Sequence, residues 1–165
     1  LAGLGRKPAR AGELKALSWV DAKAAPADLP PLHLVAADGS GHPVAEFAGQ
    51  GLVLNFWATW CVPCVAEMPA LAKLAVQVAG ERITVLPVSG DRGGAASVEK
   101  FYRAHEITGL PIWLDPDGDA FHALKLRGIP TTLIIDRDGR ERARAEGPMD
   151  WSAAESVAKI KTMLG

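Results

Sequence analysis

The feature that most limits what this chain can be is a pair of cysteines, Cys61 and Cys64, set between an apolar run and a helical pattern. They are the only two cysteines in 165 residues. The run ahead of them, Leu52-Val53-Leu54-Asn55-Phe56-Trp57, is short, apolar and aromatic, which suits a strand buried on both faces. From Cys64 to Val78, the residues Met68, Leu71, Leu74, Ala75 and Val78 recur at helical spacing. Cys61 then opens or caps a helix, where unpaired N–H groups and the macrodipole favour a negative charge and lower a thiol's pKa. Cys64 follows by just under one turn, a separation at which the two sulfurs meet at disulfide geometry.

Three plainer uses of the pair compete with dithiol–disulfide chemistry. A zinc site needs further Cys or His ligands; no third Cys exists, and His33, His42, His105 and His122 are scattered. Two inert thiols at a strand–helix junction would be an odd accident. A structural disulfide closing so short a loop would constrain the unfolded chain little. Redox activity is the reading that uses strand, helix start and spacing together.

Composition excludes several other classes. A net charge of −1 gives no electrostatic case for nucleic acid. No run of eighteen apolar residues is present to span a membrane. The first residue is Leu rather than Met, so the expectation is a trimmed product whose signal peptide or anchor lay ahead of it. At this length one domain is expected, with residues 1–30 as a Pro- and Gly-punctuated linker arm carrying a short helix from Glu13 to about Ala24. The domain proper is expected over 31–165.

Along that domain, Leu32 to Ala37 and the return from Pro43 predict a β-hairpin around Asp38-Gly39-Ser40-Gly41. Buried strands are expected at Gly51–Phe56 and Ile83–Val88, with a helix from Val62 to Val78 that Pro69 should kink. Ser97–Glu106 is predicted helical, Pro111–Leu114 a short strand and Ala120–Leu126 a short helix. Thr131–Ile135 is a β-branched strand, and Arg140–Ala145 an antiparallel edge strand. Ser152 and Glu155 form a capping-box pattern ahead of a last helix with Val157, Ile160 and Leu164 on its buried side. Alternating strands and helices call for an α/β architecture, a mixed sheet with helices on both faces. Asp91-Arg92-Gly93-Gly94 reads as a tight turn after a strand; it lacks the Lys of a phosphate loop.

This order resembles the thioredoxin fold with an N-terminal hairpin and a central insertion. Phe56 to Cys64 is similar to that fold's active-site strand and turn. Gly128-Ile129-Pro130-Thr131 resembles its cis-proline loop. Cys64-Val65-Ala66-Glu67-Met68-Pro69 matches the CxxExP pattern of the TlpA and ResA branch. The block between Val85 and Trp113 resembles that branch's insertion. Val88 to Gly94 with Phe101-Tyr102 looks like TlpA in particular.

The resemblance implies a thiol–disulfide oxidoreductase that reduces oxidised cysteines of other proteins, in cytochrome oxidase copper-centre assembly or cytochrome c maturation. It implies a periplasmic domain tethered to the inner membrane, a membrane electron donor, a monomeric state, and neither cofactor nor metal. Cys61 is expected to attack and Cys64 to resolve. Trp60, Val62, Pro63, Ile129 and Pro130 are expected to meet the substrate, Ile129 through its backbone. One departure matters. Asn55 stands where thioredoxin has a buried Asp and cannot accept a proton, so Glu67, one turn beyond Cys64, is the expected replacement. The plainer reading of Glu67 is an exposed helix carboxylate. Two other functions compete, a Cu(I)-handling chaperone using both thiolates and a thiol peroxidase.

Overall fold

A computed structural model of the chain describes residues 26–165. The expected helix at Glu13–Ala24 lies outside the described residues. In chain order the elements are β1 (Ala27–Asp28), β2 (His33–Ala36), β3 (Gly41–Pro43), a 3-10 turn (Val44–Phe47), β4 (Gly51–Trp57), α1 (Val62–Gln77), β5 (Ile83–Ser89) and α2 (Gly94–Ala104). They continue with β6 (Trp113–Leu114), α3 (Asp119–Ala123), β7 (Thr131–Ile135), β8 (Arg140–Glu146) and α4 (Ala154–Leu164).

One eight-stranded sheet runs in the order β1-β8-β7-β4-β5-β6-β2-β3. β4 pairs in parallel with β5 and antiparallel with β7, so it lies mid-sheet, and all seven of its residues are buried. Period-2 alternation along β4 divides the core. Val53 and Trp57 join the layer of α1, α2 and α4, whereas Leu52, Leu54 and Phe56 join the layer that contains α3 residues and the hairpin. Asn55 shares its side with Val53 and Trp57, and therefore meets α1. Gly51 lets α4 approach closely, since a Cβ there would come within 2.8 Å of Leu164.

The hairpin forms as expected, with His33↔Pro43 and Val35↔Gly41 in register and Gly39 at a φ of 87° in the turn. β2 pairs antiparallel with β6, which places the hairpin at one edge. The expected strand at Pro111–Leu114 is reduced to Trp113–Leu114: Pro111 has no N–H to pair, and its carbonyl accepts the Tyr102 hydroxyl at 3.1 Å.

Two other expectations are corrected. Arg140–Glu146 is not an edge strand, because Ala27–Asp28 pairs along its outer side. The capping box at Ser152 and Glu155 does not form. The Ser152 hydroxyl donates instead to Asp150 Oδ1 at 2.7 Å, and Ala153 is the N-cap without a side-chain bond.

Candidate active site

The chain leaves β4 at Trp57 and enters α1 at Val62, so the cysteines sit where a buried strand hands over to a helix. Cys61 is the N-cap, in extended backbone at φ −89° and ψ 104°, and Pro63 falls in the first turn, where a missing N–H costs nothing. Cys61 and Cys64 form a disulfide with their Cα atoms 5.2 Å apart. Their environments differ: Cys61 is 7% exposed and Cys64 is fully buried. Of the two, only Cys61 keeps any exposure to solvent.

The exposed rim around Cys61 is apolar. Trp60 and Val62 are 70% and 73% exposed, which is unusual for large hydrophobic side chains, and Pro63 is exposed beside them. Across from Cys61 lies the Gly128–Thr131 loop, whose Ile129–Pro130 peptide is cis. The Ile129 carbonyl oxygen is 3.8 Å from Cys61 Sγ, a van der Waals contact because a disulfide sulfur carries no proton to donate. A groove of about 370 Å³ lined by Trp57, Trp60, Phe121, Gly128 and Ile129 continues from this rim. A larger cavity, about 550 Å³ between Leu29, Phe47 and Arg137, contains neither cysteine. The structure thus brings together Cys61, Cys64, Trp60, Val62, Pro63 and the Ile129–Pro130 loop.

A residue that the sequence reading gave only to a turn, Asp91, ties β5 to the segment leading into Cys61. Asp91, buried after β5, accepts from the Thr59 N–H at 2.9 Å, the Thr59 hydroxyl at 2.5 Å and the Ser89 hydroxyl at 2.6 Å. Read alone, Asp91 was part of a turn; its partner Thr59 lies thirty-two residues earlier, out of reach of any local pattern.

Glu67 is not an exposed carboxylate. It is fully buried on α1, three residues past Cys64. Its Oε2 accepts from the Met149 backbone N–H at 3.0 Å and from the Trp151 indole N–H at 2.9 Å. Its Oε1 accepts from Asn55 Nδ2 at 2.8 Å. Burial pushes the carboxyl up from its ordinary 4.5 to about 7; the donors Trp151, Asn55 and Met149 pull the other way without overcoming it. A carboxyl poised there takes up or releases a proton near neutral pH. Met149 and Trp151 were also missed by sequence reading, since they reach Glu67 from the segment before α4.

Three of the four histidines make local bonds. His42 meets Ser40 and Glu46, His105 the Phe101 carbonyl, and His122 the Gly118 carbonyl. Among the described residues no group of three or more His, Cys, Asp or Glu is placed to hold a metal ion.

A model of the AhpC/TSA family matches residues 21–143, most of the chain. The thiol-disulfide oxidoreductase ResA of Geobacillus kaustophilus is 33% identical over 111 residues, covering 67% of this chain and 63% of that protein. The chain thus spans less than two thirds of that relative's length. Among solved structures, a Chlorobium tepidum chain assigned as thiol:disulfide interchange protein DsbE superposes with a TM-score of 0.74 at 23% identity, covering 85% of this chain and 97% of that one. The exposed lipoprotein thioredoxin of Streptococcus pneumoniae gives 0.66 at 26% identity, covering 82% and 100%. The fold is thioredoxin-like, and the ResA relatives carry one half of the TlpA and ResA resemblance read from the CxxExP pattern.

Proposed function

This chain belongs to the AhpC/TSA family, and we propose that it works as a thiol–disulfide oxidoreductase, reducing oxidised cysteines of other proteins. The observation that carries the reading is the asymmetry of the pair: Cys61 at the helix start on an apolar rim, Cys64 fully buried with a proton-accepting carboxyl three residues on.

In the reduced protein the Cys61 thiolate is favoured by the N-terminal dipole of α1. It attacks one sulfur of a substrate disulfide, forming a mixed disulfide and releasing the other sulfur as a thiolate that takes a proton from water. Cys64 then gives its proton to the Glu67 carboxylate, and its thiolate attacks Cys61 Sγ. The Cys61–substrate S–S bond breaks, the second substrate thiolate takes a proton from water, and the substrate leaves as a dithiol after taking up two electrons, with the Cys61–Cys64 disulfide remaining. The Ile129 backbone, edge-on to Cys61, pairs with the substrate strand, while Trp60, Val62, Pro63 and Pro130 form the surface it docks on. Val62-Pro63 brings neither charge nor imidazole to Cys61, which supports a reductant over a strong oxidant.

The finer reading is a periplasmic domain, tethered to the inner membrane, that acts as a monomer. A membrane dithiol donor re-reduces it, and its substrates are copper-site or cytochrome assembly proteins. The exposed lipoprotein thioredoxin supports a tethered, outward-facing setting by its name, and the ResA relatives support the thiol–disulfide chemistry by theirs. Among the described residues no helix is long and apolar enough to cross a membrane, so within this reading the tether lies outside them. The test is turnover with two purified substrates, an oxidised copper-site protein and an oxidised CxxCH apocytochrome peptide, each with a non-thiol scrambled control. Reduction of neither, by a chain with a free dithiol, refutes the assignment.

A further inference from the structure

We propose that Asn55 is a positioning residue whose side-chain amide turns over with the protonation state of Glu67. It would offer N–H to the carboxylate and its carbonyl oxygen to the carboxylic acid. This rests on the reading of Glu67 as proton acceptor and says what lets a fully buried carboxyl change charge.

The hydrogen bonds to Glu67 are divided unequally between its two oxygens. Oε2 of Glu67 already accepts two N–H bonds, from the Met149 backbone and the Trp151 indole; both groups are donors only and cannot reverse. Oε1 has one partner, Asn55, so the added proton belongs on Oε1. A buried O–H then needs an acceptor, because a donor shut away from water without a partner loses its hydration for nothing. In the carboxylate arrangement the group facing Oε1 is the Asn55 NH2, which would place a donor against a donor.

Asn55, the partner of Oε1, can present either kind of atom to it. Its Nδ2 sits between two oxygens, Glu67 Oε1 at 2.8 Å and Thr132 Oγ1 at 2.9 Å. Its own Oδ1 is buried with no partner. A half-turn of the amide exchanges N for O at constant volume. Oδ1 then faces both oxygens and accepts from the protonated Glu67 and from the Thr132 hydroxyl, which can donate as readily as accept. The backbone does not have to move, because Asn55 is paired on both sides, with Pro87 of β5 and Thr132 of β7. One polar atom of the amide is left without a partner in either orientation, so neither carries that cost alone.

Few other groups could govern this proton. From β4 Glu67 is faced by Asn55, which in turn meets Thr132 of β7; from the segment before α4 it is faced by Met149 and Trp151, and on its own helix it follows Cys64. Asp150, between those two donors in sequence, turns its carboxylate to the Ser152 N–H and hydroxyl. Only the cysteines titrate besides Glu67, and in the oxidised protein they do not titrate at all.

That last fact gives the experiment. In the oxidised, isotope-labelled protein, the Glu67 carboxyl carbon and the Asn55 side-chain NH2 are followed by NMR from about pH 5 to 9, a range that spans the raised carboxyl. At high pH the NH2 protons should show nuclear Overhauser contacts to the Thr132 and Glu67 side chains. On lowering the pH those contacts should be lost, with the same midpoint as the Glu67 carbon. In Glu67→Gln, whose own NH2 mimics the protonated acid, they should be absent at every pH. Contacts that persist while the Glu67 carbon titrates, or that persist in Glu67→Gln, overturn the turning of Asn55 and leave Glu67 as acceptor. A Glu67 carbon that does not titrate in this range overturns the acceptor reading and this inference together.

Discussion

The Trp151 indole N–H donates to Glu67 Oε2 at 2.9 Å, joining the segment ahead of the last helix to a carboxyl one turn below the redox pair. Both side chains are fully buried, so the bond is shielded from water and from salt. Among the donors that oppose the effect of burial on this carboxyl, the indole acts most strongly.

Removing that donor should therefore make Glu67 a weaker acid. A hydrogen bond to a charged group is worth about 1.5–3 kcal/mol, so Trp151→Phe should raise the Glu67 midpoint by roughly one to two pH units above that of the parent. The carboxyl carbon shift measured against pH in the oxidised protein checks this. An unmoved midpoint would mean that water has taken the indole's place.

The same carboxyl sets a pH dependence of stability whose sign follows from its upward shift. A group with a raised folded pKa contributes stability that is fully present below the unfolded value of 4.5 and lost as pH rises through about 7. The size is on the order of 3 kcal/mol. Other carboxylates add their own dependence, so the useful quantity is a difference: denaturant unfolding of parent and Glu67→Gln, compared between acid and neutral pH. The parent should lose stability relative to the variant across that window, and parallel curves would contradict the burial of a titrating Glu67.

Asp91 should matter to activity through Thr59. Asp91→Ala leaves the Thr59 N–H, the Thr59 hydroxyl and the Ser89 hydroxyl without their acceptor, at a cost of about 2–4 kcal/mol in denaturant unfolding. Because Thr59 leads directly into Trp60 and Cys61, disulfide exchange should also slow in protein that is still fully folded. Exchange at the parental rate would confine Asp91 to a structural role.

Trp60 should behave in the opposite way. Its ring is largely in solvent, so Trp60→Ala should change stability by less than about 0.5 kcal/mol. Its loss should raise KM for a protein disulfide while leaving reduction of a small disulfide reagent unchanged. Equal effects on both substrates would argue that the ring tunes the cysteine rather than docks a partner.

Much of this was legible in the sequence because it is written locally. The short, continuous apolar run of β4, the helical spacing after Cys64 and the β-branched Thr131–Ile135 each carry their own signal. The position of Glu67 was legible; its burial was not, because the donors that make burial tolerable come from Met149 and Trp151, more than eighty residues away. β8 was misjudged as an edge for a related reason. The two residues that cover it, Ala27 and Asp28, sit in a Pro-rich stretch with no strand pattern of their own. The capping box failed because Asp150, two residues back, competes for the Ser152 hydroxyl at 2.7 Å.

Roles within the pair are tested by substitution. Cys61→Ser should abolish reduction, and Cys64→Ser should accumulate a mixed disulfide through Cys61, because only the buried thiol can release the partner. Limiting alkylation of the reduced parent should label Cys61 first; preferential labelling of Cys64 would reverse the assignment.

The measurement that bears most directly on the account is the reduction potential of the Cys61–Cys64 couple, taken by equilibration with glutathione or dithiothreitol buffers. A dithiol that serves as a reductant, with Val62-Pro63 bringing no charge or imidazole to Cys61, should lie near the thioredoxin value of about −270 mV. A potential near the roughly −120 mV of a strong oxidant would reverse the direction of electron flow and contradict the proposed function.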